Sequence, residues 1–280
     1  FDSAHQDAFE GAGGPKIWWQ SWPAREPRAE VVLAHGAGEH SARYGHVAKA
    51  LTERGYSVWA LDHRGHGNSD GPRAFVDSFE HAIADIHTLV EMVAAGAGGQ
   101  RPFLLGHSMG GLLATGYTLR HQDSIEGLIL SAPVAALESA SAATRVISSL
   151  LSRVTPRLGV FGVDPSAISR DPDVVRDYAD DPLVFHGKLP VRTVAELAAE
   201  VASLPERVPS ITLPVLLMYG TADTLAVPAG SVMLSERISS DDLTVTPYEG
   251  LRHEILNEPE RDQVIAEIVA WLDSHRPRRI

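Results

Sequence analysis

Short apolar runs recur along the chain, and each stops at a glycine or a polar residue. Val31-Val32-Leu33-Ala34 stops at His35-Gly36, Ser57-Val58-Trp59-Ala60-Leu61 at Asp62, and Phe103-Leu104-Leu105 at Gly106. Leu128-Ile129-Leu130 stops at Ser131, and Val215-Leu216-Leu217-Met218-Tyr219 at Gly220. Runs this short and this apolar predict strands covered on both faces, as in a buried parallel sheet. A further strand is predicted over Leu243–Tyr248. Between these runs the period lengthens. Phe79, Ile83, Ile86, Val90 and Val93 step by threes and fours behind Asp77 or Ser78 as cap, with Glu80 in the first turn, which predicts an amphipathic helix. Pro259 opens another, with Val264, Ile268 and Leu272 on one face. Strands alternating with helices predict an α/β fold, a mostly parallel sheet with helices on both faces.

After Ser131-Ala132-Pro133 no convincing strand pattern returns until Pro214, although Val194, Leu197, Val201 and Leu204 keep helical spacing. The expected organisation is therefore a core over residues 1–133 and 211–280, interrupted by an inserted helical region over 134–210. In open parallel sheets, ligands bind beyond the carboxyl ends of the strands. His35, Asp62, Ser108 and Asp223 all fall at such ends, so the chemistry is expected along that edge.

The 280 residues suffice for one large core or a domain with an insertion. Apolar content of 44% and charged content of 21% are those of a soluble globular chain. No apolar run approaches the roughly 18 residues of a membrane span. The chain has no cysteine, which excludes disulfides, thiolate nucleophiles and cysteine metal sites. A formal charge of −12 disfavours nucleic acid and non-specific attraction to anionic membranes, and Arg276-Pro277-Arg278-Arg279 reads as a solvated end. A cytoplasmic or peripherally membrane-associated protein is expected. Because the chain starts at Phe1, a removed signal segment stays open.

Three chemistries compete. With 13 histidines a metal site is conceivable, but neither His63 and His66 nor His35 and His40 fall at H-E-x-x-H spacing. A dinucleotide site would use Gly65-His66-Gly67, but the next glycine, Gly71, comes one position late and Pro72 interrupts the helix such a site needs. Acyl transfer fits better. Gly106-His107-Ser108-Met109-Gly110 matches G-x-S-x-G between an apolar run and the helix-like Leu112–His121, the strand–turn–helix context of a nucleophile elbow. Downstream, Asp223 follows one predicted strand and His253 another, in the order Ser, Asp, His expected of this fold. Such a triad needs no cofactor and no metal.

With these pieces in place, the sequence resembles the monoacylglycerol lipase and lysophospholipase branch of the serine α/β-hydrolases. The resemblance rests on HGAGEHSARY (35–44), LDHRGHGNSDGPR (61–73), LLGHSMGG (104–111), SRDPDVVRDYADDPL (169–183), GTADTLAVP (220–228) and EGLRHEILNEP (249–259). It implies Ser108 as nucleophile, His253 as base and Asp223 as orienting carboxylate, with the N–H groups of Ala37 and Met109 as oxyanion hole. It further implies that Glu39, Arg43 and Tyr178 hold the glycerol hydroxyls of a small lipid ester, and that 134–210 is a lid. An aromatic residue commonly precedes the histidine in this family, where this chain has Arg252; a cation there could alter head-group preference. A haloalkane or epoxide hydrolase would be expected to carry Asp at the elbow, not Ser108.

The expected activity is hydrolysis of monoacylglycerol to glycerol and fatty acid through an acyl-enzyme. A lysophospholipase, a short-chain carboxylesterase, a thioesterase, or a non-catalytic ligand-binding protein of the same fold remain alternatives. Residues 139–163 hold no acid but carry Arg145, Arg153 and Arg157, with Val146, Ile147, Leu150, Leu151 and Val154 along one helical stripe that Pro156 ends. That stripe either packs down over the acyl tunnel as an ordinary lid or faces a membrane or micelle.

Overall fold

In the computed structural model, which describes Ser3 and residues 5–136 and 151–276, eight strands form one sheet in the order β1-β2-β4-β3-β5-β6-β9-β10. These strands are β1 (His5–Glu10), β2 (Lys16–Trp22), β3 (Ala29–Ala34), β4 (Tyr56–Leu61), β5 (Phe103–His107), β6 (Leu128–Ser131), β9 (Val215–Gly220) and β10 (Leu243–Tyr248). β1 pairs antiparallel with β2, and β2 with β4; every other pairing in this sheet is parallel. The antiparallel pair at one edge was not expected from the sequence. β1 is almost wholly exposed, so it carries no apolar run that marks a buried strand.

Side chains alternate across the sheet, as the two-residue period of a strand requires. Val32, Ala34, Leu104 and Leu217 point into one apolar layer, and Val31, Leu33, Leu105 and Leu216 into the other. The first layer is closed by α2 (Phe79–Gly96) and α3 (Met109–His121), the second by α1 (Gly45–Thr52) and the C-terminal helix α7 (Arg261–His275). Val264, Ile268 and Leu272 are all buried there. Ser78 is the N-cap of α2 with extended backbone but makes no side-chain cap bond. The Glu196 carboxylate instead accepts the Phe79 N–H at 2.9 Å. A residue from the insertion thus does the work expected of the local sequence.

Between β6 and β9 the chain builds a cap. Two short strands, β7 (Gly159–Gly162) and β8 (Lys188–Pro190), pair antiparallel, which the sequence did not suggest. Helix α4 (Pro172–Asp180) lies between them in the chain, α5 (Val191–Arg207) follows β8, and α6 (Pro228–Arg237) comes after β9. Leu197, Val201 and Leu204 of α5 join the apolar layer of α2 and α3, so this helix is continuous with the core. Arg145, Val146, Ile147 and Leu150 of the expected stripe, and Pro277, Arg278 and Arg279 of the basic end, lie outside the described residues. Leu151 (38%), Val154 (80%), Leu158 (49%) and Phe161 (46%) are exposed. No helix among the described residues is long and apolar enough to cross a membrane.

The chain crosses from β3 to β4 on one side, then returns to place β5 on the other side of β3. This reversal opens a crevice at the carboxyl ends of β3 and β5, where ligands of open parallel sheets bind. His35 follows β3, and Ser108 follows β5.

Candidate active site

Ser108 stands between β5 and α3 with φ 55° and ψ −119°, a conformation few side chains other than glycine adopt. Holding it there costs about 1–3 kcal/mol, borne by the surrounding packing. Two glycines make the turn possible. A Cβ on Gly110 would collide with the carbonyls of Ala34 and His35, and one on Gly106 with the carbonyl of Gly110. The Ser108 N–H donates to Ser131 O, and its carbonyl accepts the N–H groups of Leu112 and Val134. The hydroxyl therefore rises from a backbone fixed on both sides.

His253 and Asp223 arrive from the loops after β10 and β9. His253 Nε2 lies 2.8 Å from Ser108 Oγ, and its Nδ1 lies 2.8 Å from one Asp223 oxygen. The other Asp223 oxygen accepts the N–H groups of Leu225 and Ala226 at 2.8 and 2.9 Å. The carboxylate is thus oriented before it meets the imidazole. Burial opposes charge on the His253 ring, but the hydrogen bond and charge of Asp223, helped by Glu254 and Glu39, outweigh it and raise its pKa above the ordinary histidine value. His107, 4.8 Å away ring to ring, is pressed down to about 4 by burial and by His253 itself, and stays neutral. A hydroxyl, an imidazole and a carboxylate in this series can move a proton from oxygen to nitrogen and stabilise the resulting cation.

These groups open onto a cavity of about 340 Å³, within the usual range for small-molecule sites. Ala37 and Met109 line it beside Ser108. Glu39 accepts the Gly36 N–H at 2.5 Å and so fixes the turn that carries Ala37. The apolar lining of the cavity includes Val134, Ile168, Leu189 and Leu197.

Its polar lining includes Glu39, Tyr178 and Glu254, which gather around one guanidinium. Arg43, expected from the resemblance to touch substrate, is not among the lining residues. It stands behind them. Its guanidinium forks onto both oxygens of Glu254 (2.7 and 2.8 Å), donates to Glu39 at 2.6 Å, and lies 4.8 Å from the centre of the Tyr178 ring. Burial disfavours the charge of Glu254, but Arg43 more than compensates and keeps the carboxyl well below its usual range. The sequence reading missed Glu254: a glutamate beside a histidine carries no local signal in an acidic chain. Asp181 of the Tyr-x-x-Asp-Pro block binds His40 Nε2 at 2.9 Å, which docks α4 on the loop after β3. Arg252 likewise stays out of the cavity, and its guanidinium turns toward the cap carbonyls.

A mostly parallel sheet, a strained serine at the turn after β5, and a histidine and an aspartate at later strand ends define a serine α/β-hydrolase. The chain belongs to the family described as serine aminopeptidase, S33, which matches residues 25–260. A monoacylglycerol lipase of Mycolicibacterium smegmatis is 39% identical over 272 residues, covering 96% of this chain and 97% of that protein. A monoglyceride lipase of Rattus norvegicus is 36% identical over 270 residues, 95% of this chain and 89% of that one. Among solved structures, that of a monoacylglycerol lipase from Paleococcus ferrophilus matches with a TM-score of 0.84 at 34% identity, covering 92% of this chain and 99% of that chain.

Proposed function

We propose that this protein hydrolyses the ester bond of monoacylglycerols, releasing glycerol and leaving a fatty acyl group on Ser108 that water then removes. His253 takes the Ser108 proton as the oxygen attacks the ester carbonyl, and Asp223 stabilises the imidazolium. The oxyanion is held by the N–H groups of Ala37 and Met109, with the positive end of α3 beneath it. His253 returns its proton to the departing glycerol oxygen, then activates the water of the second half-reaction.

The observation that carries this reading is a largely apolar cavity around the Ser108–His253–Asp223 relay that also presents the polar group of Glu39, Tyr178 and Glu254. The polar group sets two carboxylates, Glu39 and Glu254, against one guanidinium, Arg43. That balance suits an uncharged alcohol with hydroxyl donors and repels an anionic phosphate, so it favours monoacylglycerol over a lysophospholipid. Product analysis on a panel of monoacylglycerols, diacylglycerols and lysophospholipids of one acyl chain tests it. Turnover highest on monoacylglycerol is expected; preference for a lysophospholipid would overturn the assignment.

The cap is proposed to meet the lipid surface that holds the substrate. Val154 and Leu158 are exposed beside Arg153 and Arg157, and Phe161 is half-exposed while also lining the cavity. An apolar rim with cations beside it suits an interface of acyl chains and phosphates.

A further inference from the structure

His253 lies between two tethers to the same short piece of the cap. On one side, Arg252 Nη1 donates to the carbonyls of Ser166 and Ser169 at 2.6 and 3.1 Å. On the other, the Glu254 N–H donates to the carbonyl of Ile168 at 2.7 Å. The buried carboxylate of Glu258 fastens the base of this connection. It accepts the Arg252 N–H at 2.6 Å on one oxygen, and the Arg170 N–H at 3.0 Å and Arg170 Nε at 3.2 Å on the other. Ser169, itself buried, donates to Asn257 O at 3.0 Å. Ile168, in the middle of the tethered segment, is 1% exposed and forms part of the cavity wall.

We propose that Arg252 is a positioning residue for hydrolysis, holding the cavity wall at 166–169 and the catalytic imidazole as one rigid unit. A side chain at 252 without donors would release the carbonyls of Ser166 and Ser169 and leave the histidine loop joined to the cap only through the Glu254 N–H and, by its backbone, through Glu258. The imidazole would then sample orientations in which Nε2 misses Ser108 Oγ, and small misplacements of a proton-transfer group are expensive in rate. Both half-reactions pass through His253, so the effect belongs in kcat. The inference rests on His253 being the general base.

The test compares Arg252→Met, Arg252→Lys, Arg170→Met and His253→Ala on a soluble p-nitrophenyl butyrate and on a long-chain monoacylglycerol. Arg170→Met removes the guanidinium bonds of the same cap segment to Glu258 and Glu260, keeping the backbone N–H bond to Glu258, without touching a residue next to His253. Arg252→Met is expected to lower kcat about tenfold on both substrates, roughly the factor of one charge-assisted hydrogen bond, with KM changed less than about threefold. Arg252→Lys, which can still donate to the carbonyls, is expected to recover most of the loss. Arg170→Met is expected to lower Tm about as much as Arg252→Met while keeping kcat. Unchanged kcat in Arg252→Met, an equal fall in Arg170→Met, or no recovery in Arg252→Lys would overturn the proposal. Full activity in His253→Ala would instead strike the proposed base itself.

Discussion

The hydroxyl of Ser108, the proposed nucleophile, is an ordinary alcohol whose reactivity would come from what surrounds it. Its backbone is strained, its Oγ is 2.8 Å from His253 Nε2, and that imidazole is held by a carboxylate already fixed by two backbone N–H groups. Ser108→Ala is therefore expected to keep the fold and lose about 10⁴-fold or more in turnover. A fluorophosphonate should label the wild type at Ser108 alone, read by mass spectrometry of the digested protein; labelling elsewhere would contradict the assignment. The pH profile follows from His253 as the proposed base. A base must be neutral, so kcat/KM falls as pH drops through its pKa. Because Asp223 outweighs burial and raises that pKa, the acid limb should lie above the ordinary histidine value near 6.5. Asp223→Asn removes the cause, and is expected to move the limb down while cutting turnover about 10⁴-fold. A limb that stays put would mean another group titrates. In the polar group, Tyr178→Phe is the informative change. Removing Arg43 would leave Glu39 and Glu254 buried without their cation, which costs about 3–5 kcal/mol of stability and blurs any specificity effect. Tyr178→Phe should raise KM for monoacylglycerol several-fold and leave a p-nitrophenyl ester of the same acyl chain nearly unchanged.

Among the elements, the cap joins packing to recognition. Its last helix, α5, is locked to the core: Thr193 Oγ1 accepts the Val76 N–H at 2.9 Å and donates to Ala74 O at 2.8 Å, and Glu200 meets Arg120. The rim around 151–161 faces outward instead. Glutamate at both Leu151 and Val154 should weaken co-sedimentation with anionic vesicles at low salt and slow hydrolysis of vesicle-borne long-chain monoacylglycerol, yet spare soluble short-chain esters. Equal losses on both substrates would make the rim a plain lid. The same contrast shows what was legible in the sequence. Strands covered on both faces print unbroken apolar runs, so β3 to β6 and β9 could be read within a residue or two of their ends. The serine, aspartate and histidine were legible because each sits in a patterned stretch at a strand end. β1 was not, because an exposed edge strand needs no apolar residues. β7 and β8 are a few residues each, too short for a period to register. Glu254 pairs with Arg43 across 211 residues, and the tether from Arg252 to Ser169 spans 83, contacts that no local pattern encodes.

At the scale of the whole molecule, the buried histidines couple stability to pH. His35, His63 and His66 pack ring against ring beside the turn that carries Ala37, with His63 and His66 almost fully buried. Burial lowers all three, with repulsion from neighbouring rings adding to it at His35 and at His63, which falls to about 3, and His107 is near 4. The unfolded chain takes up these protons near pH 6.5, well before the folded one does, so stability falls as pH drops below that value. Each such imidazole contributes roughly 1 kcal/mol per pH unit in that window. His253, with its pKa raised, acts in the opposite sense, and one group does not offset four. Urea midpoints should therefore fall steadily from pH 7 to pH 5, and His63→Leu should flatten the slope; a constant midpoint would refute the coupling.

One covalent species, the acyl group on Ser108, decides the proposed mechanism. The protein mixed with a long-chain monoacylglycerol, quenched in acid within a turnover and digested, should yield the peptide containing Ser108 carrying that acyl chain, with glycerol released in equal amount to the acyl groups transferred. Glycerol and fatty acid appearing with no acyl group on Ser108, or no glycerol released while lysophospholipids of the same chain are consumed, would contradict it.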